Sequence, residues 1–128
     1  PIPTPFVTAN FLFGHGRMFQ EVPYDPYIYF RGQEACYSLR LWTHGYNLYH
    51  PDSTVIYHYW DAVARRNPAE PSSDYKGSNP AALLGQERVL HLLGLQPSEN
   101  PAARAELASY DIGTQRTPQS FWRYAGVD

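Results

Sequence analysis

Residues 32–51 read GQEACYSLRLWTHGYNLYHP, and the order of glycine, apolar and polar residues in this stretch predicts a helix. The helix is predicted to begin at Gly32 and run through His44, with Gly45 as the left-handed residue that ends it. Apolar residues recur at the spacing of one helix face, which we expect to face the core: Ala35, Leu39 and Trp42. Glu34 then lies in the first turn, where a negative charge suits the helix dipole.

Short strands are predicted on both sides of this helix. Residues 6–13 alternate between the two faces with the period of a half-buried strand, and Gly14 ends it. Residues 47–49 and 54–59 are predicted as two more strands, joined by a turn at residues 50–53. The sequence therefore predicts a strand–helix–strand core.

The composition changes after residue 60. Residues 61–79 are rich in proline, serine and charged side chains, which predicts a loop or lid. Three helices are predicted to follow, because a capping residue followed by proline occurs three times: Asn79–Pro80, Asn100–Pro101 and Thr117–Pro118. The predicted fold class is therefore α/β, with short mixed strands, helices and a helical C-terminal tail.

Charge and hydropathy exclude several classes of protein. The 128 residues carry 10 Lys and Arg against 12 Asp and Glu, so a basic nucleic-acid scaffold and an acidic tail are both excluded. No apolar run approaches the roughly 20 residues that a membrane span needs. We expect a soluble chain with no nucleic-acid partner and no membrane partner. The single cysteine, Cys36, excludes an internal disulfide, and we expect it to be a buried, small apolar side chain.

The aromatic and histidine residues are concentrated in the first half of the chain. Of the 20 Tyr, Phe and Trp residues, 15 precede Asp61, as do four of the five histidines. Aromatic side chains bury large areas, carry polar tips and stack on sugars and bases. We therefore expect a small-molecule cleft in this half.

Four residues have both a chemical and a structural interpretation. The imidazole of His58 can bind a divalent metal or can be a core-edge side chain that donates to a carbonyl. Glu34 can accept a hydrogen bond from a hydroxyl and act as a base, or can be a first-turn acid that stabilises its helix. Arg65 and Arg66 can grip a phosphate or can be a solvated pair.

Two blocks of the sequence resemble a known family. Residues 5–60, which contain the GQEACYSLRLWTHGYNLYHP block, resemble the UDP-GlcNAc-dependent GlcNAc-transferase family of the protein-hydroxyproline type. Residues 109–128, SYDIGTQRTPQSFWRYAGVD, are similar to the C-terminal signature of the same family. The resemblance implies a GT-A fold, in which a nucleotide-binding half carries an Asp-x-Asp and an acceptor half follows.

The resemblance covers only the acceptor-side half of that fold, because no Asp-x-Asp occurs in the chain. It divides the chain into an acceptor- and metal-side part at residues 1–60, a loop or lid at 61–79 and a helical C-terminal extension at 80–128. We therefore expect the chain to be an incomplete catalytic domain, whose nucleotide-binding half lies elsewhere.

The resemblance also assigns roles to individual residues. His58 matches the histidine that completes the Mn²⁺ or Mg²⁺ site at the donor diphosphate. Glu34, the predicted catalytic residue, matches the second acid of the family's Gly-Glu-Glu, at the position that contacts the donor sugar or the acceptor. Gln33 departs from the first acid of the family's Gly-Glu-Glu, but an amide can still hydrogen-bond a sugar hydroxyl. The remaining substrate-binding residues that the resemblance implies are Asn10, Phe11, Trp60, Arg65 and Arg66.

The resemblance implies a cytoplasmic, metal-dependent hexosyltransferase. It would transfer a sugar, GlcNAc by resemblance, from a UDP-sugar donor to a hydroxyl acceptor such as one on a protein, with retention at the anomeric carbon. The alternatives are a non-catalytic carbohydrate-binding module, in which exposed aromatic side chains stack on sugar rings, and a protein-interaction module.

Overall fold

The computed structural model describes residues 1–29, 31–59 and 79–127. The elements in chain order are β1 (Ile2–Pro3), α1 (Gly16–Glu21), α2 (Gln33–Thr43), β2 (Tyr49–His50), α3 (Pro80–Leu92), α4 (Leu107–Tyr110) and α5 (Pro118–Ala125). β1 and β2 pair in antiparallel orientation, with Ile2 opposite His50. Over the described residues the chain is therefore mostly helical with one small sheet.

The helix predicted from residues 32–51 is α2, and that prediction is confirmed. Gly32 precedes it with a φ of 80°, and Gly45 follows it with a φ of 92°, so both have the left-handed conformation that favours glycine. A Cβ atom on Gly32 would lie 2.6 Å from Cγ1 of Val89. Glycine at this position therefore also allows α2 to approach α3 closely.

α2 lies at the centre of the core and packs against both α3 and α5. Every residue from 36 to 41 is buried, so the predicted single apolar face is only part of its contact surface. Two apolar clusters include side chains from α2: Met18, Val22, Tyr37, Leu41 and Leu48 in the first, and Ile28, Cys36, Val89 and Leu92 in the second. Burying each large apolar side chain contributes about 1.5–3 kcal/mol.

A buried ion pair joins the loop before α2 to α3. Nε of Arg88 donates to Oδ2 of Asp25 at 2.7 Å, and the two side chains are 0% and 4% exposed. Nη1 of Arg88 also donates to the carbonyl oxygens of Ala103 and Ala105, at 2.9 and 2.8 Å. Arg88 therefore holds three separate segments together.

The strand predicted at residues 6–13 is wrong. Only an isolated bridge between Thr8 and Phe11 forms there. Backbone donors of this segment bind side chains of α2 instead of a neighbouring strand: the N–H of Val7 donates to Ser38, and the N–H of Ala9 donates to Glu34. The alternation of apolar residues does not show that side chains of α2 bind the N–H groups that a neighbouring strand would need.

The strands predicted at residues 47–49 and 54–59 do not form a hairpin. Instead, β2 pairs with β1 at the start of the chain. Pro51 follows β2 directly and has no N–H to donate, which stops the ladder. Residues 54–59 are exposed and form no strand.

Two of the three predicted C-terminal helices are confirmed. Asn79 caps α3 by accepting from the N–H of Ala81, and Thr117 caps α5 by accepting from the N–H of Ser120. The helix predicted at Asn100–Pro101 forms only turns, followed by the short α4. Arg88 donates hydrogen bonds to two backbone carbonyl oxygens of this segment, and Glu106 has a left-handed φ of 49°. The helix therefore cannot continue.

α1 is not predicted from the sequence, in which Gly14 indicates the end of a strand. His15 caps this helix, with Nδ1 accepting from the N–H of Arg17 at 3.2 Å. None of the helices in the described ranges is long and apolar enough to span a membrane.

Candidate functional site

Glu34, at the start of α2, holds a tight turn of the N-terminal segment. Its Oε1 accepts a hydrogen bond from the N–H of Ala9 at 2.7 Å. Ala9 lies between Thr8 and Phe11, which are joined by the isolated bridge. The turn from Thr8 to Phe11 is therefore fixed to the helix by a carboxylate that itself remains exposed to solvent.

Ser38, one helical turn after Glu34, fixes the same segment. Its Oγ accepts from the N–H of Val7 at 2.9 Å and donates to the carbonyl of Glu34 at 2.6 Å. Residues four apart on a helix lie on one face, so both anchors point toward residues 7–9. The structure thus brings three predicted site residues, Asn10, Phe11 and Glu34, to one place.

A largely apolar cleft of about 560 Å³ lies beside this turn, between residues 1–13 and 49–56. We call it the aromatic cleft, and its main apolar lining residues are Phe6, Phe11, Phe13, Tyr49, Val55 and Ile56. Thr8, His50, Ser53 and Thr54 add polar groups to the lining. The volume and the mixture of an apolar surface with a few polar groups are typical of small-molecule sites.

Several large apolar side chains around the aromatic cleft are exposed. Phe13 is 88% exposed, and Tyr57 and Tyr59, just beyond the cleft-lining residues, are 93% and 83% exposed. Contiguous exposed apolar surface is uncommon on soluble monomers and marks ligand or partner sites. The predicted concentration of function in the aromatic first half is consistent with this surface.

Gln33 lies next to Glu34, but its amide is used within the protein. Nε2 donates to the carbonyl of Ile28 at 2.5 Å, and Oε1 accepts from the hydroxyl of Tyr24 at 3.1 Å. Burial raises the pKa of Tyr24, and the negative charge of Glu34 raises it further. The structure therefore places Gln33 as a bridge to the loop before α2, and its role in sugar binding stays a prediction.

Cys36 is buried, as predicted, with 1% of its surface exposed. Its Sγ donates to the carbonyl of Val89 at 3.8 Å. Burial, together with the negative charge of Asp25, raises the pKa of the Cys36 thiol to about 12. A thiol that stays protonated at neutral pH is a poor nucleophile, so Cys36 belongs to the core and not to the chemistry.

His58 is exposed and lies two residues after Ile56, which lines the aromatic cleft. Two residues of chain span at most about 7 Å, so His58 is near the cleft. Among the residues that the structure describes, no group of three or more His, Cys, Asp or Glu side chains could hold a metal ion. Trp60, Arg65 and Arg66 lie outside the described residues.

Ser38 and the apolar lining residues of the cleft other than Phe11 were not identified as site residues from the sequence. The signal for Ser38 was its position four residues after Glu34, which puts both side chains on one face of α2. The signal for the lining was the density of aromatic residues before Asp61. Which of these aromatic residues would meet depends on the pairing of β1 with β2, and that was not predicted.

Comparison with known families identifies the class of protein. A cleft with aromatic lining, bordered by a turn that a carboxylate fixes, suits a sugar-binding protein, and the family model that matches the chain is one of glycosyltransferases. The chain belongs to the family Glycosyltransferase (GlcNAc), whose model matches residues 1–128. No curated protein and no solved structure matches the chain. The predicted resemblance to sugar transferases is confirmed at this level.

Proposed function

We propose that this chain is the acceptor-side part of a GT-A glycosyltransferase that transfers GlcNAc from UDP-GlcNAc to a hydroxyl group, such as one on a protein, with retention. The observation that carries the proposal is the contact between Glu34 and Ala9, which fixes a carboxylate to the turn whose residues Thr8 and Phe11 line the aromatic cleft. Membership of a glycosyltransferase family over residues 1–128 supports sugar transfer as the reaction. A cytoplasmic location stays a prediction.

Glu34 would position a hydroxyl group of the acceptor or of the donor sugar. Its Oε1 accepts a hydrogen bond from the N–H of Ala9, whereas its Oε2 accepts no hydrogen bond from any residue in the described ranges. An ionised carboxylate oxygen accepts strong, short hydrogen bonds. Holding one reacting group in a fixed orientation supplies much of the rate increase in a transfer between two substrates.

The apolar lining of the aromatic cleft would contact the non-polar parts of the acceptor. Phe11 and Phe13 are well exposed, so a bound molecule would cover their surface and gain from its removal from water. Asn10 is exposed and lies in the turn between Phe11 and Ala9, the residue whose N–H binds the carboxylate. We therefore propose that the aromatic residues pack against the bound acceptor and that Glu34 and Asn10 orient it.

The described residues do not form a divalent-cation site by themselves, since they contain no suitable cluster of ligands. Mn²⁺ and Mg²⁺ favour several oxygen ligands, so one imidazole holds them weakly. We propose His58 as one ligand of such a cation, with oxygen ligands supplied from outside the described residues. A cation bound at the diphosphate would offset the charge that develops on the departing UDP.

UDP release tests the proposal without knowledge of the acceptor. The longest natural product that contains this chain is incubated with Mn²⁺ and with UDP-GlcNAc, UDP-GalNAc, UDP-glucose or UDP-galactose, alone and with peptides containing serine, threonine or hydroxyproline. We expect the fastest UDP release with UDP-GlcNAc and a further increase with one class of peptide. Release from none of the four donors would overturn the proposal, and sugar binding that needs neither UDP nor metal would favour a carbohydrate-binding module.

A further inference from the structure

A second cavity lies between the end of α3 and the start of α5. We call it the α3–α5 groove, and its volume is about 410 Å³. It shares no lining residue with the aromatic cleft. The lining residues that matter for its chemistry are His91, Leu95, Asp111, Ile112, Gln119 and Trp122.

Several polar groups of this groove have no hydrogen-bond partner within the part of the chain that the structure describes. Among the described residues, no acceptor binds Nε1 of Trp122, and the side-chain amide of Gln119 makes no hydrogen bond. Nδ1 of His91 accepts from the N–H of Ser98 at 3.1 Å, so in the neutral ring the proton is on Nε2, which can donate. Three donors of different geometry are therefore available to a ligand.

The same groove offers acceptors but no positive side chain. Oδ1 of Asp111 accepts from the N–H of Ile112 at 2.7 Å, which leaves Oδ2 for a ligand. The oxygen of the Gln119 amide is a second acceptor. No Lys or Arg is among the described residues that line the groove. This charge pattern disfavours phosphates and nucleotides and favours a neutral ligand with many hydroxyl groups.

The aromatic ring in the groove contacts a buried ring. Trp122 packs edge-to-face on Phe121, with ring centroids 5.0 Å apart and an interplanar angle of 68°. Phe121 is fully buried and contacts one edge of the indole, while Trp122 itself is only half-buried. An indole with aliphatic neighbours such as Leu95 and Ile112 can pack against the C–H face of a sugar ring.

We propose that the α3–α5 groove is a second ligand site, separate from the proposed transfer site, and that it binds a neutral carbohydrate. The sugar ring would pack on Trp122, and its hydroxyl groups would donate to Asp111 and accept from Gln119 and His91. Sites that combine an apolar surface with a few convergent polar groups are the usual form of small-molecule sites. The proposal does not depend on catalysis, because it concerns binding only.

Nuclear magnetic resonance of the ¹⁵N-labelled full chain tests it, with the three indole N–H signals assigned by substitution of each tryptophan in turn. The neutral probes are the methyl β-glycosides of N-acetylglucosamine, glucose and galactose, and the charged probes are UDP and inorganic phosphate. We expect at least one glycoside to shift the Trp122 indole signal in a saturable way, whereas UDP and phosphate leave it unchanged.

Two substitutions in the groove and one outside it complete the test. Asp111→Asn keeps the Oδ1 acceptor for Ile112 but loses the charge, and Gln119→Ala removes the free amide. Each should weaken glycoside binding about tenfold, the equivalent of 1.4 kcal/mol. Gln20→Ala, at an exposed position of α1, is the matched control and should leave binding unchanged.

The outcomes are distinct from those for the transfer reaction. No shift of the Trp122 signal with any glycoside, an equal shift with UDP, or unchanged affinity in both groove variants would each overturn the proposal. UDP release from UDP-GlcNAc is expected to be unchanged in Gln119→Ala. If UDP release fails in every variant while glycoside binding follows this pattern, the groove stands and the proposed transferase activity does not.

Discussion

One carboxylate oxygen of Glu34 accepts a hydrogen bond from the backbone N–H of Ala9, 25 residues earlier in the chain, at 2.7 Å. This contact joins the first turn of α2 to the turn that carries Asn10 and Phe11. Glu34 therefore has a structural role whether or not it has a chemical one. The two roles can be separated, because a glutamine side chain retains the acceptor oxygen and loses the charge.

We expect Glu34→Gln to lower the rate of UDP release roughly 10- to 100-fold, because glutamine loses the charge and a hydrogen bond to a charged group contributes about 1.5–3 kcal/mol. The free energy of unfolding should change by less than about 1 kcal/mol, because Glu34 is exposed and the bond to Ala9 is retained. Enzyme kinetics and urea denaturation measure the two effects.

Ser38→Ala is the control for this prediction. It removes the anchor of Val7 but leaves the carboxylate, so it should cost about 1 kcal/mol of stability, the net value of one hydrogen bond. A Glu34→Gln variant with full turnover, or one that loses as much stability as Ser38→Ala, would restrict Glu34 to its structural role.

We expect His58→Ala to raise the Mn²⁺ concentration for half-maximal UDP release by at least about 10-fold. Losing even a residue that only hydrogen-bonds a metal ligand lowers the affinity for the metal about 10- to 100-fold. Its melting temperature should not change, because His58 is exposed. His15→Asn is the matched control: His15 is also exposed, and asparagine can still cap α1. An identical Mn²⁺ dependence in both variants would remove His58 from the list of metal ligands.

The elements that could be predicted from the sequence have strong local signals. The glycines that flank α2 have left-handed φ values, and the Asn79 and Thr117 caps begin α3 and α5. The elements that could not be predicted depend on distant contacts. Residues 6–13 form no strand because side chains of α2 accept hydrogen bonds from their backbone N–H groups. The helix predicted after Asn100 is interrupted because Arg88 donates to backbone carbonyl oxygens of that segment.

The candidate site follows the same rule. The start of α2 placed Glu34 correctly, but its partner Ala9 could not be deduced, because a hydrogen bond between residues 25 positions apart has no local signal. The aromatic density indicates the half of the chain in which the aromatic cleft lies. The shape of the aromatic cleft depends on the pairing of Ile2 with His50, which is a long-range contact with only two residues in each strand.

We expect Arg88→Met to destabilise the protein by about 3–5 kcal/mol, because it leaves the buried carboxylate of Asp25 without its partner. The double variant Asp25→Asn with Arg88→Met should recover part of this loss, because it removes the buried charge and keeps the acceptor oxygen for the N–H of Tyr27. Urea denaturation measures both. If the double variant is less stable than Arg88→Met, the remaining Asp25 charge is not the source of the loss.

The exposed pair of Arg104 and Glu99, 3.0 Å apart, is the control for the buried pair. Arg104→Met should change the free energy of unfolding by less than about 1 kcal/mol, as is usual for ion pairs in contact with water. A loss as large as that of Arg88→Met would mean that burial does not distinguish the two pairs.

The stability of the protein should fall at alkaline pH, partly through Cys36. The thiol has its ordinary pKa of 9.0 in the unfolded chain, and burial raises this pKa to about 12 in the folded protein. Above pH 9 the unfolded chain releases a proton that the folded protein retains, so the contribution of the protonated thiol is complete below pH 9 and is lost as the pH rises toward 12. Burial also raises the pKa of Tyr24 and Tyr37, which adds a loss of the same sign.

Cys36→Ala has no thiol to titrate, so urea denaturation from pH 8 to pH 11 should show a smaller fall in its stability than in that of the unaltered protein. Parallel pH profiles for the two proteins would mean that the thiol is not the titrating group, and the fall would then belong to the tyrosines.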